Sequence, residues 1–132
     1  MVVDASVILK WFIKEVDSDK AGKIKKDHIN GFSVITLPDI ALYEIGNALR
    51  YKAEFSTAEV NLSLNEIYEL NMDIITPTFQ IISPVTEIAR HYDITFYDTF
   101  YIALAKELNL TFITADSQLY RKTKSLHFVK LL

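Results

Sequence analysis

The strongest constraint on this chain is an alternation of two hydrophobic periods. Short runs rich in β-branched and aromatic residues recur at "VVDA" (2–5), "FSVIT" (32–36), "DIIT" (73–76), "TFIT" (111–114) and "HFVKL" (127–131). Between them lie longer segments whose apolar residues return every three or four positions, as on a helix packed along one face. "DSDKAGKIKKDHI" has this spacing, with Asp17 or Ser18 as its cap. "PDIALYEIGNALRYKAEF" runs from 38 to 55 and opens on a proline suited to a first helical turn. A further helix is expected from Ser56, whose hydroxyl can cap it, to Leu70. "PVTEIARHY" and "YDTFYIALAKEL" read as helices too, and "DSQLYRKTK" as a short helix or turn. Strands that alternate with helices need crossover connections, so the pattern predicts an α/β sandwich around a mostly parallel sheet.

Nothing in the composition divides that pattern. The 132 residues contain no linker, repeat or low-complexity tract, and 50% of them are hydrophobic, enough for one packed domain over 1–132. Cysteine is absent, which removes disulfides, thiolate zinc sites and cysteine nucleophiles together. The opening "MVVDASVILKWFI" is apolar, but Asp4 and Lys10 interrupt it and no basic stretch precedes it. No apolar run approaches the ~20 residues of a membrane helix. These features predict a soluble, cytoplasmic protein with no membrane partner. A net charge of −3 argues against a domain that holds nucleic acid through a broad basic surface. The local basic runs "KAGKIKK" and "RKTK" read most simply as solvated helix faces and a loop.

Ligands of parallel α/β sheets collect at the carboxyl ends of the strands. Two acids fall there: Asp4 after the first strand and Asp116 after "TFIT". Ser6 and Thr114 stand two residues from them, so their hydroxyls share a side with the carboxylates wherever the chain stays extended. Glu44 lies on the apolar half of its helix, with Asn47 one turn on and on the same face. Asp98 opens the late helix among aromatic residues, with Thr95 three residues earlier as a cap. Singly, each has a plain structural explanation: Asp98 as a first-turn acid, Asp4 and Asp116 as turn formers, Glu44 as a partner of Arg50 or Lys52. Together the four can meet at one crevice. Carboxylates a few ångströms apart raise one another's pKa and need a counter-charge, and no Lys, Arg or His occupies the matching positions. An all-oxygen set without His or Cys favours a hard cation, Mg²⁺ or Mn²⁺. The chemistry implied is metal-assisted phosphodiester hydrolysis.

Four stretches in this order, "VVDASVILKWF", "PDIALYEIGNAL", "ITFYDTFYIALA" and "TFITADSQL", resemble the PIN domain, and within it the toxin ribonucleases of the VapC type. The resemblance implies a three-layer α/β/α fold and an acidic pocket that binds Mg²⁺ or Mn²⁺ and cuts RNA internally. It assigns the four acids to Asp4, Glu44, Asp98 and Asp116, the supporting hydroxyls to Ser6 and Thr114, and the supporting amide to Asn47. Asp93 does not match and is left outside the site. Thr99 stands where these sequences often carry Ala. The resemblance further implies a homodimer, held inactive by a cognate antitoxin whose tail enters the acidic groove. Trp11, Phe12 and Tyr43 would suit an apolar groove or dimer face, or belong to the core.

Three other readings compete. A housekeeping PIN nuclease would normally carry extra domains. A PIN fold that only binds RNA or protein would have little use for all four acids. A phospho-acceptor signalling domain also gathers acids at strand ends, but it expects adjacent acids early in the chain and a lysine where "TFITAD" places Asp116.

Overall fold

In the computed structural model, which describes all 132 residues, five short strands form one parallel sheet. They are β1 (Val2–Val3), β2 (Thr36–Pro38), β3 (Asp73–Ile75), β4 (Phe112–Thr114) and β5 (Val129–Leu131), in the order β3-β2-β1-β4-β5. β1 is central because it is apolar on both faces: Val2 and Val3 are fully buried, and Val2 pairs with Thr36 on one side and Phe112 on the other. Strand order grows outward from β1 in both directions, so the topological switch lies between β1 and β4. The fold is the expected three-layer α/β/α sandwich.

Eight helices flank the sheet: α1 (Ala5–Leu9), α2 (Ser18–Ile29), α3 (Ile40–Arg50), α4 (Thr57–Glu69), α5 (Phe79–Ile82), α6 (Val85–Tyr92), α7 (Phe96–Glu107) and α8 (Ser117–Thr123). α4 starts as expected at Ser56, which forms a reciprocal capping box with Glu59. Asn71, Asp93 and Asn109 take left-handed backbone angles just after α4, α6 and α7, where the turn out of a helix favours residues that tolerate positive φ. α7 packs over β1, β2 and β4, with α5 and α6 against its outer side. It is therefore buried from Thr99 to Ala105 without a break, and not along one face only.

The structure corrects three local expectations. The extended run at the start ends at Val3, and "ASVIL" forms α1, because the Asp4 carboxylate accepts a hydrogen bond from the Ser6 N–H and starts a helical turn. The second strand lies at 36–38, not 32–36. Residues 30–33 instead close α2, with Gly31 at φ 74° and the Phe32 N–H donating to the Asp27 carbonyl. His28 Nε2 donates to the Leu70 carbonyl at 2.8 Å, which leaves Nδ1 to accept from the Ile35 N–H at 3.3 Å, and Phe32 is 80% exposed. α5 has no counterpart in the sequence pattern, since its four residues are too few for a helical period to show.

Candidate active site at the carboxyl edge of the sheet

Three helices begin where β1 and β4 end, and each begins on an acid or next to one. Asp4 is the N-cap of α1, Asp116 is the N-cap of α8, and Asp98 lies in the first turn of α7. Free N–H groups at these helix starts favour carboxylates, so the local structural explanation holds for all three. It does not compete with a site, because the sheet sets the three helix starts side by side.

Asp4 is the buried member, 8% exposed. Its Oδ1 accepts from the Ser6 N–H at 3.2 Å, and its Oδ2 accepts from the Thr114 hydroxyl. Thr114, fully buried, also accepts from the Asp116 N–H at 3.0 Å and so joins the two strand ends. The Ser6 hydroxyl accepts from the Ala115 N–H at 3.0 Å and closes the same junction. Burial pushes the Asp4 carboxyl above its ordinary range, and the Asp98 charge adds to this, while the Thr114 and Ser6 hydrogen bonds oppose it.

Glu44 reaches the cluster from the middle of α3. It is half-buried and has no Arg50 or Lys52 partner; its carboxylate accepts instead from the Tyr101 hydroxyl on α7. Its carboxyl is also raised, by burial first and then by the charges of Asp4 and Asp98. Tyr101 is stacked on Phe112, and burial together with the Glu44 charge raises its hydroxyl far out of the titrating range, so it remains a neutral donor. Asp98 is fixed by Thr95 as expected. The Thr95 hydroxyl accepts from the Asp98 N–H at 3.0 Å and donates to its carboxylate at 2.7 Å. The neighbours of Asp98 differ in character: Phe96 and Tyr97 are exposed, whereas Phe100 and Tyr101 are buried.

Asp98 and Asp116 line one polar cavity of about 380 Å³. Asp116 is exposed there, and its Oδ1 caps α8 by accepting from the N–H groups of Gln118 at 2.6 Å and Leu119 at 3.1 Å. The structure thus brings Asp4, Glu44 and Asp98 into mutual electrostatic range and places Asp116 beside Asp98. It does not bring in Asn47, which is exposed and accepts from Arg50 Nε at 3.1 Å. Two charged residues outside the expected site also line the cavity. These are Lys122 and Asp93, and Lys122 Nζ lies 2.7 Å from Asp93 Oδ2. Lys122 thus brings a cation to the wall that Asp98 and Asp116 share, with Asp93 and none of the four acids as its partner. The hydrogen bond and charge of Lys122 hold the Asp93 carboxyl below its usual range. A sequence signal for Lys122 existed in its position on α8, on the turns that follow the Asp116 cap. For Tyr101 the signal was its place one turn after Asp98.

The side chains here that could ligate a cation, Asp4, Glu44, Asp98 and Asp116, offer only oxygens, with no His or Cys among them, which is the chemistry a hard cation requires. As the side chains stand, no three His, Asp or Glu groups are close enough to share one ion.

The PIN domain sequence profile matches residues 1–125. This chain belongs to the PIN domain family. A similar protein is Ribonuclease VapC3 of Pyrobaculum aerophilum, 26% identical over 130 residues and aligned across 96% of each chain. Solved structures share the fold. PAE2754 from Pyrobaculum aerophilum superposes with a TM-score of 0.70 at 23% identity, over 93% of this chain and 78% of that one. A toxin–antitoxin complex from Klebsiella pneumoniae gives 0.71 at 12% identity, over 98% and 94% of the two chains. FitAcB from Neisseria gonorrhoeae gives 0.63 at 16% identity, over 99% and 95%. No helix of this PIN domain is long and apolar enough to cross a membrane. Of the aromatic residues considered for a contact face, Trp11 and Phe12 pack against the core, while Tyr43 is 72% exposed.

Proposed function

We propose that this PIN domain is a metal-dependent endoribonuclease and the toxin of a toxin–antitoxin pair. The observation that carries the reading is the buried Asp4, set beside Glu44 and Asp98 at the switch point of a parallel sheet with no basic side chain bonded to any of the three. A carboxylate held at that cost in a fold of this family is best explained by a cation that arrives with the substrate. Asp4, Glu44, Asp98 and Asp116 would hold Mg²⁺ or Mn²⁺, which on binding would lower the pKa of a water and offset charge on the phosphoryl oxygens.

The chain's own residues supply orientation. Thr114 aims the Asp4 carboxylate and Tyr101 aims that of Glu44, both from buried positions. Ser6 and Thr114 lock the β1 and β4 ends together, which keeps Asp4 and Asp116 in register. The Thr95 hydroxyl holds one Asp98 oxygen and leaves the other free to face the cavity. Asn47 would enter the site only by leaving Arg50.

The ribonuclease named among its relatives supports the substrate, and the toxin–antitoxin complex among its structural neighbours supports an antitoxin partner. A homodimer in the cytoplasm is part of the same proposal. The test is purified protein on single-stranded or loop RNA: cleavage with Mg²⁺ or Mn²⁺ is expected, and cleavage that persists in EDTA after confirmed metal removal would refute the metal-dependent reading. Expression of the chain alone should slow growth of its host, and co-expression of an antitoxin encoded beside it should relieve that. A harmless chain that still cuts RNA would point to housekeeping RNA processing.

A further inference from the structure

The cavity beside Asp98 poses an electrostatic difficulty that the four acids do not solve. RNA is a polyanion, and Asp93, Asp98 and Asp116 give the cavity wall three carboxylates. Even with a divalent ion bound, phosphates on either side of the scissile bond would face uncompensated negative charge. Lys122 is the one cationic side chain lining this cavity. It projects from α8, the helix that Asp116 caps, so the same rigid element carries both the acid and the base.

In the free protein Lys122 is turned to Asp93. Its ammonium group donates to the Asp93 carboxylate at 2.7 Å and to the Asp93 backbone carbonyl. The Asp93 side chain is 95% exposed and that of Lys122 is 44% exposed. An ion pair so open to water contributes little to stability, and exchanging one anionic partner for another costs little. A phosphodiester oxygen offers a full charge to the same three-donor ammonium. Asp93 itself is held by backbone conformation, with φ 51° at the end of α6, so it stays in place while the flexible lysine moves.

We propose that Lys122 is a substrate-binding residue that grips an RNA backbone phosphate next to the scissile bond, and that Asp93 is the anion RNA displaces from it. This rests on the ribonuclease reading and adds to it a residue for the backbone flanking the cut. Asp93 thereby acts as a competitor that parks the lysine when no RNA is present. The four acids place the cation, and Lys122 places the strand.

The experiment uses a fluorescent single-stranded RNA and the full chain. Binding is measured by anisotropy across a salt series on an Asp98→Asn background, which leaves the RNA uncut, and steady-state cleavage is measured on the parent background. Lys122→Gln should weaken binding about five- to tenfold and reduce the salt slope by about 0.7–1, as loss of one phosphate contact requires. It should raise KM far more than it lowers kcat, and Lys122→Arg should restore most of the affinity. Asp93→Asn, which keeps a side chain tolerant of positive φ, should tighten binding roughly two- to threefold by removing the competitor. Lys124→Gln, on the same basic run but outside the cavity, should stay within about twofold of the parent. Equal losses for Lys122→Gln and Lys124→Gln would overturn the proposal in favour of diffuse attraction. An unchanged salt slope in Lys122→Gln, in a protein whose parent cuts RNA, would overturn it and leave the ribonuclease reading standing. A parent that neither binds nor cuts RNA would remove both.

Discussion

The two central strands end alike and yet do different things. β1 runs into Asp4 and α1, β4 runs through Ala115 into Asp116 and α8, and each aspartate caps the helix that follows. Asp4 is enclosed: Thr114 and the Ser6 N–H are its partners, and burial raises its carboxyl. Asp116 is open to solvent, and its Oδ1 is satisfied by two backbone N–H groups at the start of its helix. One local pattern, strand then aspartate then helix, therefore yields an enclosed carboxylate with a raised pKa in one place and a solvent-exposed one in the other. What separates them is the layer above: α3 and α7 bring Glu44 and Asp98 into electrostatic range of Asp4, whereas Asp116 is exposed on the cavity that Asp98 shares.

The largest effect should come from neutralising the enclosed end. Asp4→Asn and Asp98→Asn are each expected to lower RNA cleavage by about a hundredfold or more, the size of effect typical when a group that positions transition-state charge is lost. Metal-free stability should move the other way. Because the folded Asp4 carboxyl is raised above its unfolded value, the folded state binds more protons than the unfolded one between those two values. Stability of the metal-free parent should thus fall as pH rises through that window, and Asp4→Asn should flatten the fall. Added Mg²⁺ should raise the melting temperature of the parent and raise that of either variant less. Melting curves against pH, with and without Mg²⁺, check all of this. Asn variants that cut RNA at the parent's rate would end the case for the site.

Thr114→Val probes the link between the two ends. It deprives Asp4 of its hydroxyl donor and the Asp116 N–H of its acceptor, inside a fully buried junction. A cost of about 1–3 kcal/mol is expected in urea unfolding. The cost should be larger near neutral pH than in acid, since the lost bond favours ionised Asp4; a deficit independent of pH would mean that the carboxylate does not depend on Thr114.

The same contrast marks what a sequence makes legible. Asp4 and Asp116 could be found because strand ends carry the ligands of parallel sheets, and Thr95 because a cap three residues before an acid is a local bond. The layer that tells the two ends apart could not. Glu44 and Tyr101 meet across 57 positions, and Lys122 reaches Asp93 across 29. Asn47 shows the opposite case: its spacing puts it on the Glu44 face, but its side chain accepts from Arg50 on the same helix. Among the elements, α1 is hard to read because Val7 and Ile8 are β-branched and the two valines before Asp4 favour a strand, so only the Asp4 cap marks the turn into helix. β2 slid because its register depends on Thr36 pairing with Val2 and Asp73, and on His28 bonds that no local pattern contains.

A smaller effect is expected from Tyr101→Phe, which keeps the stacked ring and removes only the donor to Glu44. A loss of about 1–2 kcal/mol would fit a hydrogen bond to a half-buried carboxylate. The sharper readout is Mn²⁺ affinity by titration calorimetry. If Tyr101 aims Glu44 at the cation, affinity should fall by about tenfold, as when partners of metal ligands are removed. Unchanged affinity would make Tyr101 a packing residue.

The smallest effect belongs to the open end, where two substitutions separate the cap from the charge. Asp116→Ala removes both and should cost about 0.5–1 kcal/mol, through the two N–H groups at the start of α8 that lose their acceptor. Asp116→Asn keeps an acceptor oxygen for those groups and removes only the charge, so its stability should lie within about 0.5 kcal/mol of the parent. If Asp116 is only a cap, cleavage should follow stability: Asn should cut RNA like the parent, and Ala only slightly less. If its Oδ2, which accepts no hydrogen bond from the protein, faces a cation in the cavity, both variants should lose cleavage to a similar degree despite their different stabilities. Cleavage rates set beside urea midpoints for the two variants decide between these outcomes. Equal stability with unequal activity, Asp116→Asn against the parent, would show that the open strand end serves the same site as the closed one.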